Sequence, residues 1–173
     1  MWWRSSALIA ALFAALDALA LAGCGFQPLY GGTTVGGAKL SEVMATVDIT
    51  PIPGRVGQKL RNELIFANTG GGYAAPPRYR LNIVIRESVT DELVQITGDA
   101  TGQVYQIEAT FKLVDPSTRV VLFQGKAISR AAYNRLQEIF ANVRARYDAE
   151  NRAARTISES IKTQIAAFLA KAA

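Results

Sequence analysis

The chain has 173 residues, half of them hydrophobic, and a net charge of +5, which suits one domain with a sizeable core and favours an anionic partner. It contains one cysteine and no histidine. These counts exclude a disulfide framework within the chain, Ser-His-Asp or Cys-His catalysis, and histidine-based zinc sites. Because no acidic cluster takes their place, we expect no enzymatic activity, no cofactor and no metal site.

The first element is a secretory signal with a lipidation site. An apolar run over residues 7–22 and small residues before the cysteine are typical of a signal peptide, predicted over 1–23. Leu21-Ala22-Gly23-Cys24 has the order of a lipoprotein cleavage box, so we predict that Cys24 receives a lipid. A spanning helix is disfavoured because Asp17 interrupts the run, which is shorter than the ~20 apolar residues required. Export also removes nucleic acid from the anionic partners and leaves a lipid or glycolipid.

A tether and the first elements of a domain follow the anchor. Residues 24–40 contain glycine and threonine without a periodic apolar face, which predicts a flexible tether, and 41–173 are predicted as a single domain. Alternating apolar residues predict a strand over Val43–Thr50. Apolar residues at a spacing of four predict an amphipathic helix over Arg55–Asn68, ended by the glycines that start at Gly70.

Three longer strands are predicted next. Alternation of apolar and polar residues indicates strands over Tyr79–Val89, Thr101–Val114 and Arg119–Ala131. Asp115-Pro116-Ser117-Thr118 predicts a turn that joins the last two strands in a hairpin. Residues 91–103 interrupt the alternation, so we expect a bulge or a loop there.

The last element is a long helix over about Asn142–Ala170, with one apolar stripe and a charged opposite face. The order β-α-β-β-β-α predicts an α+β fold. We expect a two-layer sandwich, in which two helices pack on one face of a mostly antiparallel four-stranded sheet.

Four arginines lie near the passage from the last strand into the long helix: Arg130, Arg135, Arg144 and Arg146. Guanidinium groups bind phosphate through two parallel hydrogen bonds, so these residues are candidates for binding a phosphorylated glycolipid. The alternative is an ordinary solvated basic face of a helix.

Several segments in order resemble one family. They are Cys24-Gly25-Phe26-Gln27-Pro28-Leu29-Tyr30-Gly31, the helix segment 55–64, Tyr105-Gln106, and Ser129-Arg130-Ala131-Ala132-Tyr133-Asn134 before the long helix. Together they are similar to the lipopolysaccharide-assembly lipoprotein family (LptE), in its alphaproteobacterial form. The resemblance covers nearly all of the chain after the signal.

This resemblance implies a non-enzymatic protein of the outer membrane, anchored by its lipid on the periplasmic face. Family members sit in the lumen of the β-barrel LptD, assist its assembly, and help to insert lipopolysaccharide into the outer leaflet. Basic residues near the start of the last helix are linked to lipopolysaccharide binding in the family, which supports Arg135, Arg144 and Arg146. An auxiliary lipoprotein of an ABC-type lipid transporter is the alternative, since it would share the anchor and the fold class.

Overall fold

The computed structural model describes residues 34, 36–73, 75–94, 100–135 and 138–172. The predicted signal peptide over 1–23 and the lipidation site Cys24 lie outside the described residues, as does most of the predicted tether.

In the part of the chain that the structure describes, three helices and four strands form a two-layer α+β domain, which confirms the predicted fold class. The strands lie in the order β1-β2-β3-β4, with β1 parallel to β2 and the other pairs antiparallel. The elements are α1 (Leu40–Ala45), β1 (Val47–Ile49), α2 (Gly54–Thr69), β2 (Tyr79–Val94), β3 (Ala100–Val114), β4 (Val121–Asn134) and α3 (Ile139–Ala172).

The predicted strand over Val43–Thr50 is wrong in its first half, because α1 ends only at Ala45. Leu40, Val43 and Met44 are all buried, at the i, i+3, i+4 spacing that places side chains on one face of a helix. The short alternation that suggested a strand therefore belongs to two elements. The domain has three described helices rather than two, in the order α-β-α-β-β-β-α.

The other elements agree with the predictions to within a few residues. Helix α2 ends as expected at Gly70, which takes the left-handed conformation (φ 63°) and donates its N–H to the Phe66 carbonyl at 2.9 Å. The predicted turn closes through Asp115, whose Oδ1 accepts the Ser117 N–H at 2.8 Å. These local signals were sufficient because each turn satisfies its own backbone groups.

Strands β2 and β3 are longer than the alternation predicted. The expected irregularity is present as two register shifts, between Asp91 and Leu93 and between Leu93 and Val94. The strands nevertheless continue to Val94 and resume at Ala100, and residues 95–99 lie outside the described residues. Strand β4 continues to Asn134, so Tyr133 lies inside it rather than after it.

The core lies between the helices and one face of the sheet. It contains the odd-numbered residues of the strands and the apolar stripe of α3, and its fully buried members include Leu81, Tyr105, Ile107, Phe111, Ile157 and Ile161. Burying each aliphatic side chain of this kind contributes about 1.5–3 kcal/mol. The other face of the sheet has no described helix over it. None of the helices in the described ranges has the length and apolar character needed to cross a bilayer.

Candidate functional site

A groove lies where the first turns of α3 cross the distal end of the sheet. After Ile85, the next residues of β2 on the helix side, Glu87 and Val89, are exposed, so the sheet here extends past its cover. The groove has a volume of about 420 Å³. We call it the α3 groove, and its lining residues are Arg55, Val56, Glu87, Val143, Arg146, Tyr147 and Glu150.

Glu150 is the centre of the charge network in the α3 groove. Its side chain is only 6% exposed, yet it is a carboxylate in the buried stripe of α3. Oε1 accepts the Nε–H of Arg146 at 2.9 Å, and Oε2 accepts an Nη2–H of Arg55. A carboxylate this deeply buried requires such partners, because an unpaired buried charge is strongly destabilising.

Arg55 joins the two helices at this point. It lies in the first turn of α2, donates Nη1–H to Asn151 Oδ1 at 3.1 Å, and places its guanidinium 4.5 Å from the centre of the Tyr147 ring. The cation–π contact and the bond to Glu150 both hold the side chain against α3. Arg55 therefore positions the start of α2 against the first half of α3.

The opposite wall of the α3 groove is a second carboxylate. Glu87 Oε2 accepts the phenolic O–H of Tyr105 at 2.7 Å. Burial raises the pKa of Tyr105 well above its usual value, and the hydrogen bond to Glu87 adds to the shift. Tyr105 is therefore a neutral donor that orients Glu87.

A shallower depression of about 300 Å³ adjoins the α3 groove and shares Val143 and Arg146 with it. Arg135 lines this depression at the end of β4, beside Tyr133, whose O–H donates to Gln103 Oε1 at 2.7 Å. Arg135 is exposed and forms no ion pair with another described residue. It is the predicted site residue whose guanidinium stays available to an anion in this depression.

The structure brings Arg135 and Arg146 together and places Arg144 and Arg130 elsewhere. Residues two positions apart in an α-helix are separated by about 200° around its axis. Arg144 therefore leaves α3 on a different side from Arg146. The guanidinium of Arg144 lies 5.7 Å from the centre of the Phe140 ring. Arg130 lies on the uncovered face of the sheet, where its Nε–H donates to Gln106 Oε1 at 2.7 Å. The four arginines therefore do not form one surface.

Sequence reasoning missed Arg55 and Glu150. Glu150 had a detectable signal, since it falls within the apolar stripe of α3, four residues after Arg146, where a carboxylate needs a partner. Arg55 had none, because it is distant in sequence and only the fold brings it to Glu150.

Chemically, the α3 groove and the adjoining depression suit an amphipathic anion. The lining of the α3 groove balances two arginines, Arg55 and Arg146, against two carboxylates, and Arg135 in the adjoining depression gives the combined surface a net charge of +1. Glu87 opposes these charges on the far wall. The apolar surface comes from Val56, Val143 and Tyr147. Within the described ranges, no group of acidic or cysteine side chains is arranged to hold a metal ion.

A larger depression of about 530 Å³ lies at the other end of the domain, between the 115–118 turn and the end of α3. Its lining contains one basic residue, Arg78, and one acidic residue, Asp115. Arg78 lies 5.6 Å from the centre of the Tyr79 ring. The lining of this depression therefore has no net positive charge that would attract an anion.

No family model and no curated protein matches the sequence. Solved structures do share its fold. A candidate lipoprotein of Caulobacter crescentus superimposes with a TM-score of 0.64 at 19% identity, over 76% of this chain and 96% of that one. Rare lipoprotein B of Shewanella oneidensis gives 0.53 at 12% identity, over 70% and 92%. A minor lipoprotein of Acinetobacter baumannii gives 0.51 at 13% identity, over 72% and 94%. The domain thus has the fold of these bacterial lipoproteins.

Proposed function

We propose that this protein is an outer-membrane lipoprotein that plugs the lipopolysaccharide-transport β-barrel LptD, assists its assembly, and takes part in inserting lipopolysaccharide into the outer leaflet. The observation that carries the proposal is the shared fold with bacterial lipoproteins, rare lipoprotein B among them, in a chain whose N-terminus contains a lipidation box. The role is non-enzymatic, and Cys24 is the lipidated residue.

Lipopolysaccharide would bind at the α3 groove and the depression beside it. Its lipid portion commonly carries phosphate or other acidic groups next to acyl chains. An arginine meets such a group with charge-assisted hydrogen bonds. Arg135 offers a guanidinium that forms no ion pair with another described residue, and Val143 and Tyr147 offer apolar surface next to it. Arg146 adds positive charge, although its Nε–H is already bound to Glu150.

The test compares two arginines at the same end of the domain. We expect Arg135→Ala to weaken lipopolysaccharide binding about tenfold, which corresponds to ~1.4 kcal/mol and is close to the lower end of the range for a charge-assisted bond. Arg144→Ala removes the same charge from another side of α3 and should have little effect. Affinity is measured at low and high ionic strength, because screening should reduce the contribution of Arg135.

Equal loss of affinity in both variants would mean that only net charge matters, and the groove assignment would be wrong. Circular dichroism of each variant controls for folding.

The predicted effect on the barrel is tested separately. Depletion of this protein should reduce the abundance of folded, heat-modifiable LptD, since a plug supplies packing that the lumen lacks alone. Unchanged LptD on depletion would contradict the plug.

A further inference from the structure

The uncovered face of the sheet is a second charged surface, separate from the α3 groove. It consists of Asp48 of β1, the even-numbered residues of β2 from Arg80 to Thr90, and the even-numbered residues of β3 and β4, because side chains alternate between the two faces of a regular strand. Beyond Thr90 the register of β2 shifts, and Glu92 has no partner in it. We call it the open face. Its basic residues are Arg80, Arg86, Lys112, Lys126 and Arg130, and its acidic residues are Asp48 and Glu108.

Most of the net charge of the chain lies on the open face. Five basic and two acidic residues give it a charge of +3, compared with +5 for the whole chain. Both acidic residues are already paired, Asp48 with Arg80 at 3.4 Å and Glu108 with Lys126. The remaining three, Arg86, Lys112 and Arg130, form no ion pair with any other described residue.

The unpaired charges are spread over a long, continuous surface. The register places Arg86 opposite Glu108, Lys112 opposite Gln124, and Arg130 opposite Gln106. From the row of Arg80 to the row of Arg130 the face runs for roughly 27 Å, at about 6.7 Å per pair of residues. The open face therefore fits an extended anionic layer better than a single small anion.

We propose that the open face docks on the anionic phospholipid headgroups of the membrane to which the protein is anchored. Clustered Lys and Arg side chains near a bilayer are attracted by its negative surface potential. Val84, which is 73% exposed, and Ile128, which is 54% exposed, lie among the basic residues. A membrane interface accepts apolar side chains next to basic ones.

The distance from the anchor permits this docking. Thr34, the first described residue, is ten positions after Cys24, so the two are at most about 35 Å apart. Thr34 is itself held, since its N–H donates to the Ala38 carbonyl at 2.8 Å. This inference takes only one part of the proposed function as given, the lipid anchor at Cys24. A domain enclosed by a barrel cannot also lie on the bilayer, so docking belongs to the protein before it joins its partner.

The experiment uses the lipid-anchored protein reconstituted in vesicles of phosphatidylcholine alone or with about one third phosphatidylglycerol. A fluorophore is attached through Thr110→Cys on the open face or through Thr156→Cys on the outer side of α3, both exposed positions. A quencher is attached to the lipid headgroups. We expect quenching at position 110 in the anionic vesicles only, its loss at high salt, and no quenching at position 156.

Variants then test the charges. Replacing Arg86, Lys112 and Arg130 with glutamine should reduce the ratio of docked to undocked protein on the order of 100-fold, since each charge near the surface changes it about fivefold. The matched control replaces Lys39, Arg155 and Lys171, three exposed basic residues away from the open face, and should retain docking. Circular dichroism confirms that both triple variants are folded.

Three outcomes would overturn the proposal: equal quenching in neutral vesicles, equal quenching at the two positions, or unchanged docking in the open-face variant. If the open face instead binds an acidic protein, the label at position 110 stays unquenched in every vesicle, which also overturns it. Failure of the lipid anchor has a different signature, because the protein would not incorporate into vesicles at all.

Discussion

The bonds of Glu150 provide a direct test of how the site is built. Glu150→Gln removes the charge from a side chain that is only 6% exposed and turns one acceptor into an NH₂ donor that faces an arginine. Two charge-assisted bonds are worth about 1.5–3 kcal/mol each. Arg55 and Arg146 are 43% and 54% exposed, so water recovers roughly half of this loss when they are released. We therefore expect the free energy of unfolding to fall by about 1.5–3 kcal/mol and the melting temperature by roughly 5–10 °C.

The matched control is Asp148→Asn on the same helix. Asp148 accepts the Nε–H of Arg152 at 2.8 Å with the same four-residue spacing, but its side chain is 68% exposed. An exposed pair of this kind contributes about 0.3–0.5 kcal/mol. Urea unfolding is followed by circular dichroism on the chain from residue 24 onward, with Cys24 replaced by serine. If the two variants lose equal stability, burial does not decide the value of the Glu150 network and the reasoning is refuted.

Three further predictions concern packing, an unpaired amide and the anchor. Gly125→Ala should destabilise the domain by about 1–3 kcal/mol in urea unfolding, because a Cβ would lie 2.5 Å from the Phe111 ring and 2.8 Å from the Gln164 amide oxygen. Wild-type stability in this variant would show that α3 moves away at little cost. Asn68→Leu should raise the unfolding free energy by about 1 kcal/mol, since both polar atoms of this buried amide have no described partner, and a lower value would indicate that the amide binds water or a ligand. Cys24→Ala should abolish incorporation of labelled palmitate and leave an unprocessed precursor, whereas equal labelling would exclude Cys24 as the acceptor.

Local signals in the sequence were sufficient for much of the fold. The end of α2 at Gly70 and the turn at Asp115 each depend on a few adjacent residues, and both were predicted. The predicted strand over Thr101–Val114 agrees with β3, in which alternation places Tyr105 and Phe111 on the same face, and both are fully buried. Helix α1 was missed because a six-residue helix gives too short a pattern to distinguish a period of 3.6 from a period of 2.

The arrangement of the candidate site could not be read in the same way. Arg130, Arg135, Arg144 and Arg146 are close in sequence, but the alternation of β4 and the rotation of α3 direct them to different surfaces. Conversely, Arg55 and Glu150 are far apart in sequence and in contact in the fold. The charge of the open face emerges only from the register of β2, β3 and β4, which brings residues of three strands into shared rows.

The most direct test of the central claim is to identify what co-purifies with this protein from detergent-solubilised membranes. A C-terminally tagged full chain is extracted mildly, captured and analysed by mass spectrometry, with Cys24→Ala as the control for correct anchoring. The proposed function predicts recovery of an outer-membrane β-barrel, LptD, in a stable complex from the outer-membrane fraction. Recovery of an inner-membrane ABC-type transporter in its place, with no barrel, would contradict it.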